Sequence, residues 1–248
     1  MQKKIRVGAV SYLNTKPLIY GCEQGELEES IELVKDYPSR LATMLQKDLL
    51  DIALLPVAAI PNIPHAQVIG EYCISADRQV ASVALYSHVP IEDIQSIYLD
   101  YQSRTSVALL RILLRDYWHI RPSLLEAGEN YIDDIQDKTA GVIIGDRALE
   151  YRNKFPYVYD LAEIWHEHTQ LPFVFAVWVS NKEIDTAFID AFNNSIAIGL
   201  EHLAEIIIAN PFPAYDLRTY YTENISYSLD DEKRKGMMLF LKLLEQMN

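Results

Sequence analysis

Three runs of this 248-residue chain place hydrogen-bond donors and cations directly after an apolar segment of strand length. In SYLNTKPL they are Ser11, Asn14, Thr15 and Lys16; in DYQSRTSVALLRILL they are Ser103, Arg104, Thr105 and Ser106; in VIIGDRAL they are the backbone N–H groups of Gly145 and Asp146. An amide, hydroxyls, a guanidinium and the free N–H groups at a helix start bind and stabilise anions, carboxylates above all. A fourth candidate is Ser82, a hydroxyl on the otherwise apolar strand run VASVALYS (80–87). Each has an ordinary structural alternative. Asn14 or Thr15 can cap a helix whose first turn holds Pro17, Ser103 or Thr105 can cap the next with Arg104 in solvent, Asp146 can cap a third, and Ser82 can be a small packing residue. Four polar residues including a lysine exceed the needs of one cap, and SRTS is likewise richer than a cap.

Other chemistries lack their residues. His166 and His168 in WHEHTQLPFVFAVW stand two apart, which splays them on a helix, and neither HExxH nor a cysteine cluster accompanies them, so no metal is expected. Trp165, His166 and Thr169 are expected to shape a wall or pack beneath it. No GxSxG context surrounds any serine, which leaves a nucleophilic triad without support. The acidic runs GELEESIE and SLDDEKRK read as solvated surface. The three polar runs supply donors and cations, and none supplies an obvious general base.

These residues are carried by an alternation of strand-length and helix-period segments. IRVGAV, IELVKD and DIALLPV are separated by helical stretches from about Pro17 and over PSRLATMLQKDL; SIYLD, SVALLRILLRDYW and AGVIIGDRAL repeat the rhythm. That pattern predicts an α/β fold with parallel strands and helices on their faces. The strand-like runs VASVALYS and PFVFAVWVS (172–180) bracket a middle block, predicting a discontinuous first lobe (1–79 plus 179–248), an inserted second lobe (80–178) and a ligand cleft between them. Helical segments follow at TAFIDAFNNSIAIGLEHLAEIIIA and DDEKRKGMMLFLKLLEQ. A net charge of −13 and the lack of clustered Lys and Arg argue against a nucleic-acid partner. With two cysteines, Cys22 and Cys73, no uninterrupted apolar run of about 18 residues, and an N-terminal apolar run broken by Ser11, Asn14, Lys16 and Pro17, a cytoplasmic protein with no membrane insertion is expected.

Taken together and in order, SYLNTKPL, SRTSVALLRILL and GDRAL followed by LPFVFAVW resemble the menaquinone biosynthesis family of the futalosine pathway, and the similarity extends to DIALLPVAAI and YYTENISYSL. The resemblance implies a two-lobed fold like the type II periplasmic binding proteins and an enzyme that removes water from chorismate to give 3-[(1-carboxyvinyl)oxy]benzoate, with no cofactor or metal. Asn14 and Ser82 are similar to that family's active-site Asn and Ser. Ser11, the SRTS turn, Gly145 and Asp146 are the expected substrate-binding residues. Two alternatives remain: a non-catalytic small-anion binding protein on the same fold, and the sister enzyme of the pathway, a dihydroxynaphthoate synthase.

Overall fold

The computed structural model describes residues 4–247. Among them the strands are β1 (Ile5–Ala9), β2 (Ile31–Lys35), β3 (Ile52–Pro56), β4 (Gln67–Ala76), β5 (Val83–Ser87), β6 (Ser96–Leu99), β7 (Ser123–Glu126), β8 (Thr139–Ile144), β9 (Tyr157–Asp160), β10 (Phe173–Ser180) and β11 (Ser226–Ser228). The helices are α1 (Lys16–Glu23), α2 (Pro38–Gln46), α3 (Arg104–Asp116), α4 (Asp146–Tyr151), α5 (Leu161–Thr169), α6 (Thr186–Glu201), α7 (Leu203–Ala209), α8 (Leu217–Thr219) and α9 (Asp231–Glu245). The chain forms two compact units, one of Met1–Ile74 with Val174–Asp230, the other of Ser75–Phe173 with Asp231–Asn248. Among the described residues no helix is long and apolar enough to cross a membrane.

In the first unit the sheet order is β11-β4-β10-β3-β1-β2. β1 runs parallel to β2, with Ile5 opposite Ile31, and to β3, with Val7 opposite Ile52, while β10 is antiparallel to β3. Because β1 lies between β2 and β3, the connection leaving it goes one way and the next returns across it. That makes its carboxyl end a topological switch point, where open α/β sheets leave a crevice. Helix α1 lies tight against α6: a Cβ on Gly21 would meet the Ser195 carbonyl, and one on Gly199 the Pro17 carbonyl. Only glycine at both places permits that approach, and it fixes the axis of the helix that follows SYLNT. Beneath the sheet, Trp178 and Phe192 are fully buried with ring centroids 4.9 Å apart.

The second unit repeats the arrangement with the order β7-β6-β8-β5-β9. Here β6 is the switch-point strand, parallel to both β7 and β8. β5 runs antiparallel to β8 and β9, with Val83 opposite Ile144 and Ala84 opposite Asp160. The carboxyl ends of β6, β8 and β9 and the amino end of β5 therefore share one edge of the sheet. Trp165, Phe173 and Phe240 form a buried aromatic cluster with centroids 5.1 to 6.3 Å apart.

The sequence-based division differs from these units at each junction. The chain leaves the first unit within β4, after Ile74, rather than at VASVALYS, and returns within β10, after Phe173. β4, which ends in EYCISA, is a ten-residue strand that the alternation of patterns obscured, while β5 is a five-residue strand inside the second sheet. The C-terminal helix belongs to the second unit, since Phe240 of α9 joins Trp165 and Phe173 and Gly236 lets α9 approach the Pro172 carbonyl. A helix-period pattern shows which face is apolar and not which core receives it. The single helical stretch expected after 185 is broken at His202 into α6 and α7.

Candidate functional site

SYLNTK sits at the carboxyl end of β1, as an anion-binding turn should, but its polar side chains part company there. Leu13–Thr15 form one turn of 3-10 helix leading straight into α1, and neither Tyr12 nor Thr15 caps with a side-chain hydrogen bond. Capping therefore does not explain Asn14. Pro17 within the first turn of α1 removes one of the N–H groups a cap would serve. The buried Thr15 hydroxyl donates to Asn14 Oδ1 at 3.3 Å, which engages the amide oxygen. The Tyr227 phenol donates to the Asn14 carbonyl at 3.0 Å, tying the turn to β11. Burial pushes the Tyr227 phenol well above its ordinary pKa, so it remains a donor.

Ser11 is exposed and, with Tyr12, Lys35, Asp36 and Tyr37, lines an open crevice of about 330 Å³ at the carboxyl ends of β1 and β2. Lys16 lines a different pocket, with Tyr20, Glu23, Ile206 and Asn210 between α1 and α7. Residues contiguous in sequence thus serve separate surfaces, because a helical turn rotates successive side chains by about 100°.

In the second unit the structure brings Ser82, the SRTS turn, Gly145 and Asp146 to one sheet edge. Ser103 is the N-cap of α3: its Oγ accepts from Ser106 N–H at 3.1 Å and donates to Ser106 Oγ at 2.8 Å. Thr105 and Ser106 are buried and Arg104 is exposed. The cap reading therefore holds for Ser103, and the anion-binding groups this turn can offer are Arg104 and the first N–H groups of a 13-residue helix.

Gly145 is the N-cap of α4, with φ 65° and ψ −147°, a conformation essentially reserved for glycine; Asp146 occupies the first turn instead of the cap. Gly145 N–H donates to the Ser82 carbonyl at 2.8 Å, so these two candidates meet directly. Ser82 itself lies in a bend just before β5, not on the strand as the sequence pattern suggests, and is 1% exposed. The pattern missed this because apolar residues at 80 and 81 continue the strand's composition.

Two buried carboxylates, neither of them signalled by local sequence pattern, organise this edge. Asp100, after β6, accepts from Tyr131 OH at 2.8 Å and Arg147 at 2.7 Å through Oδ2, and from Gln102 N–H at 2.8 Å through Oδ1. It thereby joins the approach to SRTS with the first turn of α4. Asp160 accepts from Val80, Ala81, Ala162 and Glu163 N–H groups. Burial pushes its carboxyl up to about 6 against the opposing pull of those donors and Arg152, which still leaves it ionised at neutral pH. Such anchors are invisible in a linear reading because their partners are backbone groups or lie tens of residues away.

His166 and His168 lie on α5, where His168 meets the Tyr117 ring edge-on at 5.9 Å. Trp165 and Thr169 belong to the packing, the Thr169 hydroxyl donating to the Trp165 carbonyl at 2.8 Å. The structure also gathers a basic cluster the sequence does not show: Arg111, Arg115, His119 and Arg121 line one pocket at the end of α3 remote from SRTS. Arg115 there is paired with Asp116, and positive charge complements the helix's carboxyl end.

Residues 5–246 match the model of the family described as menaquinone biosynthesis. Chorismate dehydratase from Thermus thermophilus is 25% identical, covering 96% of this chain and 94% of that protein. Chorismate dehydratase from Campylobacter jejuni is 26% identical, covering 97% and 98%. Among solved structures, the Candida albicans CA3427 gene product, described as exhibiting the generic periplasmic binding protein fold, matches with a TM-score of 0.68 at 15% identity over 98% of this chain and 90% of that one. The fold expected from the sequence is thus shared with the periplasmic binding proteins.

Proposed function

Since the chain belongs to the menaquinone biosynthesis family, we propose that it is a cytoplasmic hydro-lyase that removes water from chorismate to leave 3-[(1-carboxyvinyl)oxy]benzoate. The names of its two relatives support this substrate. Cys22 and Cys73, which are not joined in a disulfide, fit a reducing compartment.

The observation that carries the reading is the chemistry of the two switch-point turns. They present donors, Asn14 in the first unit and Arg104 with the α3 N–H groups in the second, while the carboxylates beside them are occupied. Asp36 is paired with Arg40 at 3.2 Å, and Asp100 and Asp160 are filled by the contacts above. Donors suit a dianionic substrate whose reaction pushes charge onto a carboxylate. Loss of the C3 proton places an electron pair that delocalises through the ring double bond to the ring carboxylate; its return expels the C4 hydroxyl as the C3–C4 double bond forms, and the ring becomes aromatic. Donors aimed at that carboxylate stabilise the charge as it develops.

With no uncommitted carboxylate in the turns, the substrate's enolpyruvyl carboxylate is the base. It takes the C3 proton and delivers it to the departing hydroxide, so one water leaves and no external acid is consumed. Asn14 orients that carboxylate or the leaving hydroxyl through its amide nitrogen, Ser82 supplies a hydroxyl, and Arg104 holds a carboxylate through charge. Ser11, Ser103, Thr105, Ser106, Gly145 and Asp146 complete the binding surface.

Purified protein incubated with chorismate and no added cofactor is expected to give an aromatic product lighter by one water, read by mass and ring-proton NMR. A binding-protein fold also suits a receptor; tight chorismate binding with no turnover would favour that reading instead. An analogue lacking the enolpyruvyl carboxylate is expected to bind without dehydrating, and its normal turnover would remove the substrate-base step.

A further inference from the structure

We propose that Asp160 is a positioning residue that holds the bend bearing Ser82 in its working conformation. This deepens the dehydratase reading and rests on it for its catalytic readout.

Residues 77–82 have no regular secondary structure, yet they are tethered at Asp77, Val80, Ala81 and Ser82. Asp77 pairs with the buried Lys233 of α9 at 3.1 Å. Asp160 Oδ1 accepts from Val80 N–H at 3.2 Å and Oδ2 from Ala81 N–H at 2.7 Å. Arg152 donates to the Ala81 carbonyl at 3.3 Å and stands 3.9 Å from Asp160. Gly145 N–H takes up the Ser82 carbonyl.

Within this bend Ala81 has φ 63°. The other non-glycine residues at positive φ among those described are two Asp, two His and one Gln, whereas alanine has no side-chain group to compensate for the left-handed conformation. A bend that alanine does not favour persists only if its surroundings over-determine it. The Asp160 carboxylate does so, because its two oxygens are matched by successive N–H groups that converge only when Ala81 is left-handed. The same carboxylate caps α5 through Ala162 and Glu163 N–H at 3.1 and 3.2 Å. One buried charge thus couples the bend to a helix, and Ser82 is the next residue.

The test is Asp160→Asn, which keeps the shape but presents a donor to one of the N–H groups. Its kcat for chorismate is expected to fall on the order of tenfold to a hundredfold with KM within about twofold of wild type, the signature of misplaced rather than missing groups. Hydrogen exchange of the Val80 and Ala81 amides is expected to rise at least about tenfold while exchange in β8 stays as in wild type. Adding Ala81→Gly to the Asp160→Asn protein is expected to recover part of kcat, since glycine reaches the left-handed conformation unaided. If Asp160→Asn does not fold, Arg152→Gln reads the same bend, with a smaller loss of kcat and the same local exchange. Unchanged kcat overturns the inference, as does a loss of kcat accompanied by exchange throughout the second unit and no recovery by Ala81→Gly. Wild-type protein that leaves chorismate untouched defeats the dehydratase reading alone; the amide exchange at Val80 and Ala81 then decides the Asp160 contact, and unchanged exchange overturns it.

Discussion

The turns after β1 and β6 occupy equivalent places in the two units, each at the carboxyl end of a switch-point strand and each opening a helix, yet they satisfy that helix differently. After β6, Ser103 caps α3 through its hydroxyl and donates to the Ser106 hydroxyl, so two of the four polar residues are engaged at the helix start. After β1, a 3-10 lead-in and Pro17 manage the helix start, and Asn14 needs to cap nothing. A polar residue is available to a ligand when the backbone has found another solution to its own unpaired groups. The two turns are also held by different means, the first by a neutral phenol, Tyr227, and the second by a charged anchor, Asp100.

Removing the uncommitted amide tests this contrast most severely. Asn14→Ala is expected to lower kcat by on the order of a hundredfold to a thousandfold with the melting temperature unchanged; a fall in stability with kcat kept would return Asn14 to a structural role. Charge separates the units next. Asp51 of the first unit, held well below the usual carboxylate range by Arg6 and Lys182 despite the opposing cost of burial, contributes stability that is present above pH ~4 and lost as acid protonates it. Asp160, raised to about 6, has the opposite sign: the folded state binds its proton more tightly than the unfolded chain, so its contribution declines as pH rises from ~4 to 6, by about 3 kcal/mol. Denaturant melts from pH 4 to 8 are expected to show that decline in the wild type between pH ~4 and 6 and a flatter profile over the same interval in Asp160→Asn.

A smaller effect is expected at Arg104, where Ala should raise KM roughly tenfold with little change in kcat, since an exposed guanidinium contributes ground-state charge. Ser103→Ala should cost about 1 kcal/mol of stability, the usual value of an N-cap, and Asn14→Ala almost none by the same melt. Tyr227→Phe completes the series: losing one buried hydrogen bond to the Asn14 carbonyl should cost about 1 kcal/mol and lower kcat only a few-fold, leaving KM alone.

Much of this was legible without coordinates. The βαβ rhythm gave parallel strands, and the polar runs after IRVGAV and SIYLD were placed at strand ends, where the structure has them. The N-cap was readable at Ser103, since Ser before an apolar helical run is a local signal. The extent of β4, the placement of α9 and the position of Ser82 were not, because composition near a strand end does not tell strand from bend and an amphipathic helix does not name its partner.

Local patterning by itself determined the element types, the order of the polar turns and the predominance of donors over bases in them, because hydrophobic period, proline position and side-chain chemistry act within a few residues. Tertiary structure alone decided the long-range contacts that anchor the turns. Asp100 is met by Tyr131 and Arg147 and Asp160 by the Val80 and Ala81 N–H groups, whereas Asn14 with Thr15 and Ser103 with Ser106 are contacts between near neighbours. Whether a buried polar group is spent or available depends on what folding brings within 3 Å of it, and for Asp100 and Asp160 those partners come from 31 to 80 residues away as well as from next door.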